Sequence, residues 1–217
     1  MLLLCLALAA FEPGERLSYD VRYGPMRLGR MELYTLEPDT IGDETCYHFA
    51  AALATNPSFA AVFEARYEFE SWVRRTDFTT LRSYKNTEER NYEAEVQADF
   101  DYGAGVIRYS DGKCYPLAGP CRDLLTLWYY FRQPELKPGD VLSVYSHVDR
   151  KDYRVKVRAA KYEAVRVPAG TFRCLVAVPS TAGPLGAVYL EEQSRIPVVI
   201  RTRVAGMTVS AVLREVE

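Results

Sequence analysis

From Ala61 to Val73, apolar and polar residues alternate almost without a break. Ala61, Phe63, Ala65, Tyr67, Phe69 and Val73 share one parity, and Glu64, Arg66, Glu68, Glu70 and Arg74 share the other. Successive side chains of a strand point to opposite faces, so the run predicts one strand with a dry side and a wet side. At about 3.3 Å per residue it would extend roughly 43 Å, about twice an ordinary strand. The same period recurs in Leu17–Tyr23, in Tyr92–Phe100 and in Tyr153–Ala159. Gly24-Pro25, Tyr102-Gly-Ala-Gly105, Pro168-Ala-Gly170 and Ala205-Gly206 supply turn signals between such runs. Sheets of long strands twist and tend to wrap around something or close on themselves. The pattern therefore predicts an all-β fold, a strongly curved antiparallel sheet forming a barrel or half-barrel.

One stretch departs from the two-residue period. Leu124, Leu127, Trp128 and Phe131 recur at i, i+3, i+4 and i+7, with Asp123 placed to cap the start and Pro134 just beyond the end. This predicts one amphipathic helix at about 123–132. Its apolar stripe must be buried against the sheet, as a lid or a plug.

The length, 217 residues at 48% hydrophobic and 26% charged, suits one domain with a full core. A net charge of −2 with interspersed signs offers no sequence-wide attraction to nucleic acid. Sixteen tyrosines fit β propensity, and they also suit a cavity wall that needs an apolar ring and a hydrogen bond.

The first ten residues are apolar and contain Ala7-Leu8-Ala9, which matches a signal-peptidase site. The expected division is a signal peptide over 1–9, lacking a basic start, and a single β-barrel-like domain over 10–217. That implies the periplasm or secretion, and disulfides become permissible. Cys114 and Cys121 flank a loop-like spacer and are expected to pair. Cys46 and Cys174 could form a second bridge or remain two buried thiols. Zinc-type spacing is absent, and no metal or cofactor is expected.

Candidate chemistry is sparse. Cys46 and His48 would lie about 6.5–7 Å apart on one strand face, too far for a nucleophile–base hydrogen bond. His147, between Tyr145 and Asp149, reads as solvated or hydrogen-bonded. Glu88-Glu89 and Glu191-Glu192 read as solvated turns or edges. The serine-hydrolase elbow, glycine phosphate loops and the zinc-protease helix motif are all missing. The expectation is a protein without catalytic residues.

The order of motifs resembles an uncharacterised bacterial family of exported proteins, domain of unknown function 3108. The resemblance is carried by residues 11–29, by Asp123-Leu-Leu-Thr-Leu-Trp-Tyr-Tyr-Phe-Arg132 with Pro138-Gly139, by Val167-Pro-Ala-Gly-Thr-Phe172, and by Arg195-Ile-Pro197. It implies a β-rich envelope protein with no assigned activity. Three readings follow. The first is a binder or carrier of a hydrophobic, lipid-like ligand, with Tyr19, Phe63, Tyr67, Phe69, Leu127, Trp128 and Phe131 lining the cavity or lid. The second is an envelope assembly factor with a solid core that binds another protein. The third is an integral outer-membrane barrel.

Overall fold

The computed structural model describes residues 11–60, 63–133, 135–181, 185–204 and 207–217, with the side chains of 203 and 204 left aside. The signal peptide expected over 1–9 and the Ala205-Gly206 turn lie outside them. The first half of the chain is a run of strands: β1 (Arg16–Tyr23), β2 (Met26–Ile41), β3 (Glu44–Thr55), β4 (Ala65–Arg74), β5 (Thr80–Glu89), β6 (Tyr92–Asp101), β7 (Val106–Tyr109) and β8 (Cys114–Pro116). A short helix α1 (Pro57–Ala60) interrupts it between β3 and β4. Then come β9 (Cys121–Arg122) and helix α2 (Leu124–Tyr130). The second half holds β10 (Val141–Val148), β11 (Lys151–Val167), β12 (Gly170–Pro179), β13 (Val188–Glu191), β14 (Pro197–Val204) and β15 (Met207–Val216).

All fifteen strands form one sheet in the order β8-β7-β6-β5-β4-β3-β2-β1-β15-β14-β13-β12-β11-β10-β9. Sequence neighbours pair except for β8 with β9, and β1 also pairs with β15, which brings the first and last strands together in the middle. Every pairing is antiparallel apart from β9 with β10. The two outermost strands, β8 and β9, are joined by only Leu117–Pro120. Five Cα steps span at most about 18 Å, whereas fifteen strands laid flat would be about 65 Å wide. The sheet must therefore roll until its edges nearly meet. It does not close: β8 pairs with β7 and β9 with β10, without a ladder between them. The expected curved, barrel-like all-β architecture is what the chain adopts.

Helix α2 fills the roll. Leu125, Leu127 and Tyr129 are buried on it, and it packs against β3, β4 and β10. Tyr129 stacks on Phe49 at 3.8 Å, and Phe11 meets both rings edge-on. Tyr19 is also fully buried, and its hydroxyl donates to the Pro197 carbonyl at 2.8 Å. Just past the helix, Arg132 makes a paired contact with Glu15, Nη1–Oε2 at 2.6 Å and Nη2–Oε1 at 2.7 Å, which ties α2 to the entering chain.

Two expectations are corrected here. The alternation from Ala61 is not one strand: β4 starts at Ala65, and Phe63 N–H bonds back to Phe59 O in helical fashion. Pro57 opens α1 at the position where proline suits a helix start, so the segment coils before the strand begins. Phe63 is consequently 53% exposed rather than turned into the interior. The Cys114–Cys121 disulfide is also absent. Cys114 faces outward from β8, Cys121 is buried on β9, and Cys46 and Cys174 are likewise free and buried. Burial pushes the Cys121 thiol up to about 12 and the Cys174 thiol up to about 11, so neither forms much thiolate at neutral pH. Brief treatment of folded protein with iodoacetamide is expected to label Cys114 and spare Cys46, Cys121 and Cys174. Peptide mapping checks this, and early labelling of Cys121 would contradict the packing.

Candidate functional site

The interior is solid around α2 but hollow beside it. A cavity of about 480 Å³ lies between the concave face of β4–β7 and the β10–β11 turn. Strand register makes its wall a grid. Tyr67, Phe69 and Ser71 of β4 stand opposite Thr87, Lys85 and Ser83 of β5. Those in turn face Ala94, Val96 and Ala98 of β6, and Ala98 faces Tyr109 of β7. Alternate residues of a strand share a face, so this whole set points inward. The volume has a plain cause: Ser71, Ser83, Ala94 and Ala98 are too small to fill a barrel interior that side chains ordinarily occupy. The start of α2, Asp123 to Leu125, forms the floor, and Glu89, Tyr92 and Asp149 reach the solvent-side rim.

A seam of side chains holds the rolled edges together around this hollow. Lys85 Nζ lies 2.9 Å from Asp149 Oδ1, and Arg150 Nη1 lies 2.8 Å from Asp111 Oδ2. The Arg150 guanidinium also sits 4.6 Å above the Tyr109 ring. His147 is 3% exposed, with Nδ1 at 2.6 Å from Asp152 Oδ1 and Nε2 at 2.9 Å from the Tyr109 hydroxyl. The carboxylate can only accept, so Nδ1 donates to it, and in the neutral imidazole Nε2 accepts from the Tyr109 hydroxyl. Tyr102 shares its hydroxyl proton between Thr80 O at 2.9 Å and Cys121 O at 3.2 Å, bridging β5 to β9.

The Asp152–His147–Tyr109 line has the outline of a proton relay. Burial pushes the Tyr109 phenol up to about 12, which keeps it protonated and makes it a hydrogen-bond donor at neutral pH. Cys46 and His48, the other sequence candidates, have separate partners: Cys46 Sγ donates to Asp39 O, and His48 Nε2 meets Glu70 Oε2 at 2.7 Å. Among the described residues no three His, Cys, Asp or Glu side chains cluster as metal ligands.

The seam titrates at alkaline pH. Burial raises Tyr109, Tyr145 and Cys121, each to about 12, above their ordinary 8.5 to 10. A raised folded value means the protonated form is favoured by folding, so this stability is present below the ordinary range and lost as pH rises towards 12. Unfolding is expected between about pH 10 and 12. Circular dichroism and phenolate absorbance should change together, and seam tyrosines that ionise fully near pH 10 without loss of fold would contradict this.

Of the side chains named from the sequence, Tyr67 and Phe69 lie at the wall of the hollow. Tyr19, Leu127 and Phe131 belong instead to the solid core, and Trp128 packs half-buried against it. The helix is a plug whose first turn, rather than its central stripe, meets the cavity. Sequence reasoning missed Lys85, Tyr109 and the His147–Arg150 turn, because strand register alone brings them together.

Among solved structures, the chain is similar to a beta-barrel-like protein of domain of unknown function DUF1849 from Brucella abortus. The TM-score is 0.68 at 12% identity, over 95% of this chain and 98% of that one, a likeness of fold alone. A Bacteroides fragilis protein described as exported and of YmcC-like fold aligns over 95% and 97% of the two chains at 13% identity. Its TM-score of 0.37 is too low to carry an argument. No curated protein matches the sequence. The family model described as protein of unknown function (DUF3108) matches residues 18–210, and the chain belongs to that family.

Proposed function

We propose that this is a non-enzymatic envelope protein that holds an amphipathic, lipid-like molecule in the hollow beside α2. The observation that carries the reading is the cavity itself. Its size falls within the range of roughly 300–1,000 Å³ usual for small-molecule sites, at about 480 Å³. Its wall is apolar at Phe69, Val96, Ala94, Leu124 and Leu125, with a few polar groups near the rim.

A collar of apolar turns supports the same reading. Strand directions put the β1–β2, β5–β6 and β10–β11 turns, the start of β15 and Phe63 just before β4 at one end of the roll. Tyr23, Met26, Phe63, Tyr92 and Met207 sit there, five of the eight exposed large apolar side chains among the described residues. An apolar rim at the cavity end lets a lipid leave a membrane without crossing water. The envelope location is the one expected from the leader pattern at residues 1–9. The unpaired β8 and β9 edges weigh against a membrane-spanning barrel, which tolerates no open edge in lipid.

The test is mass spectrometry of an organic extract of protein purified from the bacterial envelope without detergent. Roughly stoichiometric lipid is expected. Protein that arrives empty, and stays empty when offered vesicles of total envelope lipid, would remove the carrier reading.

A further inference from the structure

Lys85 is a charged residue in the middle of an inward-facing wall, with Phe69 opposite it on β4 and Val96 opposite it on β6. On β4, Glu68 and Glu70 have the opposite parity to Phe69 and so take the other face of the strand, where charges on such a sheet are ordinarily found. The Lys85 ammonium stands 5.8 Å from the Phe69 ring centroid, and its ion-pair partner is Asp149. That partner comes from the opposite edge of the rolled sheet. Asp149 is 68% exposed at its side chain, whereas Lys85 is 36% exposed. Asp149 and Arg150 are the two central residues of a hairpin turn, at φ 48° and 65°. Both are left-handed, a conformation that glycine and asparagine adopt far more readily. The turn is fastened by two ion pairs across the seam, Lys85–Asp149 and Arg150–Asp111, besides the Arg150–Tyr109 ring contact.

We propose that the occupant of the hollow is an anionic amphiphile, whose charged end takes the place of the Asp149 carboxylate on Lys85. The inference rests on the cavity reading above and names its ligand class. In the empty protein Asp149 occupies the cation from the solvent side. A carboxylate or phosphate entering at the rim meets the same ammonium, with Arg150 adjacent as a second donor. The apolar chain behind it runs along Phe69, Val96 and Leu125. Glu89, the other acid at the rim, is engaged by the Tyr67 hydroxyl at 2.5 Å and does not compete for Lys85. Displacing Asp149 frees the strained turn from one of its two ion pairs, so loading and opening of the seam are coupled.

The experiment compares cis-parinaric acid, a fluorescent fatty acid, with its uncharged methyl ester on wild type, Lys85→Met and Asp149→Asn. Wild type is expected to bind the acid about tenfold more tightly than the ester, the scale of one charge-assisted hydrogen bond. Lys85→Met should lose that preference by weakening the acid alone. Asp149→Asn removes the competing carboxylate and places a residue suited to the turn, so the acid should bind several-fold more tightly. Displacement by oleate or by lysophosphatidic acid identifies the head as carboxylate or phosphate, and either supports the proposal. Displacement by oleyl alcohol alone would overturn it. Equal binding of acid and ester, or an equal loss of both in Lys85→Met, overturns the anionic class while leaving the cavity reading intact. Binding of neither probe by wild type overturns both.

Discussion

Replacing Glu15 by Ala is expected to cost about 3 kcal/mol, because it leaves the Arg132 guanidinium buried without its counter-charge. The side chain of Arg132 is 4% exposed and that of Glu15 is 18%, so water screens the pair little. The guanidinium is hemmed in by aromatic rings, 4.9 Å from the Phe11 centroid and 5.7 Å from that of Tyr129. Those rings soften the loss without replacing a carboxylate. For a chain of this length the melting temperature should fall by about 6–12 °C. Glu15→Gln keeps the hydrogen-bond geometry without the charge and should lie between. Thermal melts by circular dichroism check the series. A loss below about 1 kcal/mol for Glu15→Ala would mean the pair behaves as a surface salt bridge. The effect also reaches beyond one pair. Glu15 anchors the segment bearing Phe11, which closes the Phe49–Tyr129 stack from one side.

The second large effect is expected at Asp123. Its carboxylate accepts from Thr126 N–H, Ser71 Oγ and Thr80 Oγ1, each at 2.9 Å, and from Thr126 Oγ1 at 3.0 Å. It thus caps α2 and pins the helix start to β4 and β5 in one buried cluster. Asp123→Ala removes the cap, worth about 1 kcal/mol, and orphans buried hydroxyls at about 1 kcal/mol or more each. A total near 3 kcal/mol is expected, with a looser cavity floor. Asp123→Asn should cost less, since one acceptor survives.

The pH dependence of that cluster has a definite sign. Burial raises the Asp123 carboxyl, partly offset by the hydrogen bonds from Thr126, Ser71 and Thr80. A carboxyl raised in the folded state contributes most below its unfolded value, near 3.9, and loses that contribution as pH rises through the folded value. The stability gap between wild type and Asp123→Asn should therefore be widest in acid and narrow as pH rises. Denaturant melts at several pH values measure it. A gap that widens with pH would show the ionised form to be the favoured one.

Much of the scaffold was legible from side-chain periodicity. The alternation Tyr92–Phe100 is β6, the spacing Leu124–Phe131 is α2, and Asp123 caps the helix as its residue type suggested. Local pattern failed where a neighbour in space decided the outcome. Phe63 fits the parity of β4, but its N–H bonds back to Phe59 O of α1, and β4 begins only at Ala65. The spacing of Cys114 and Cys121 suits a ring, yet one faces out and the other in. The cavity was half legible: Tyr67 and Phe69 were identifiable, but hollowness depends on Ser71, Ser83, Ala94 and Ala98 falling side by side through register. Lys85 sits in a polar stretch, Thr80–Glu89, where nothing local marks it as inward. The turn at Asp149-Arg150 carries neither glycine nor asparagine, so its left-handed geometry had no residue signal.

The account turns on whether the hollow beside α2 admits an apolar molecule. The most direct measurement is titration with N-phenylnaphthylamine, an uncharged fluorescent probe, into wild type and into Val96→Trp, whose indole would occupy the cavity. Wild type should give saturable binding near one equivalent. Val96→Trp should lose that binding while melting at a similar temperature. No saturable binding by wild type, or equal binding by the filled variant, would contradict the claim.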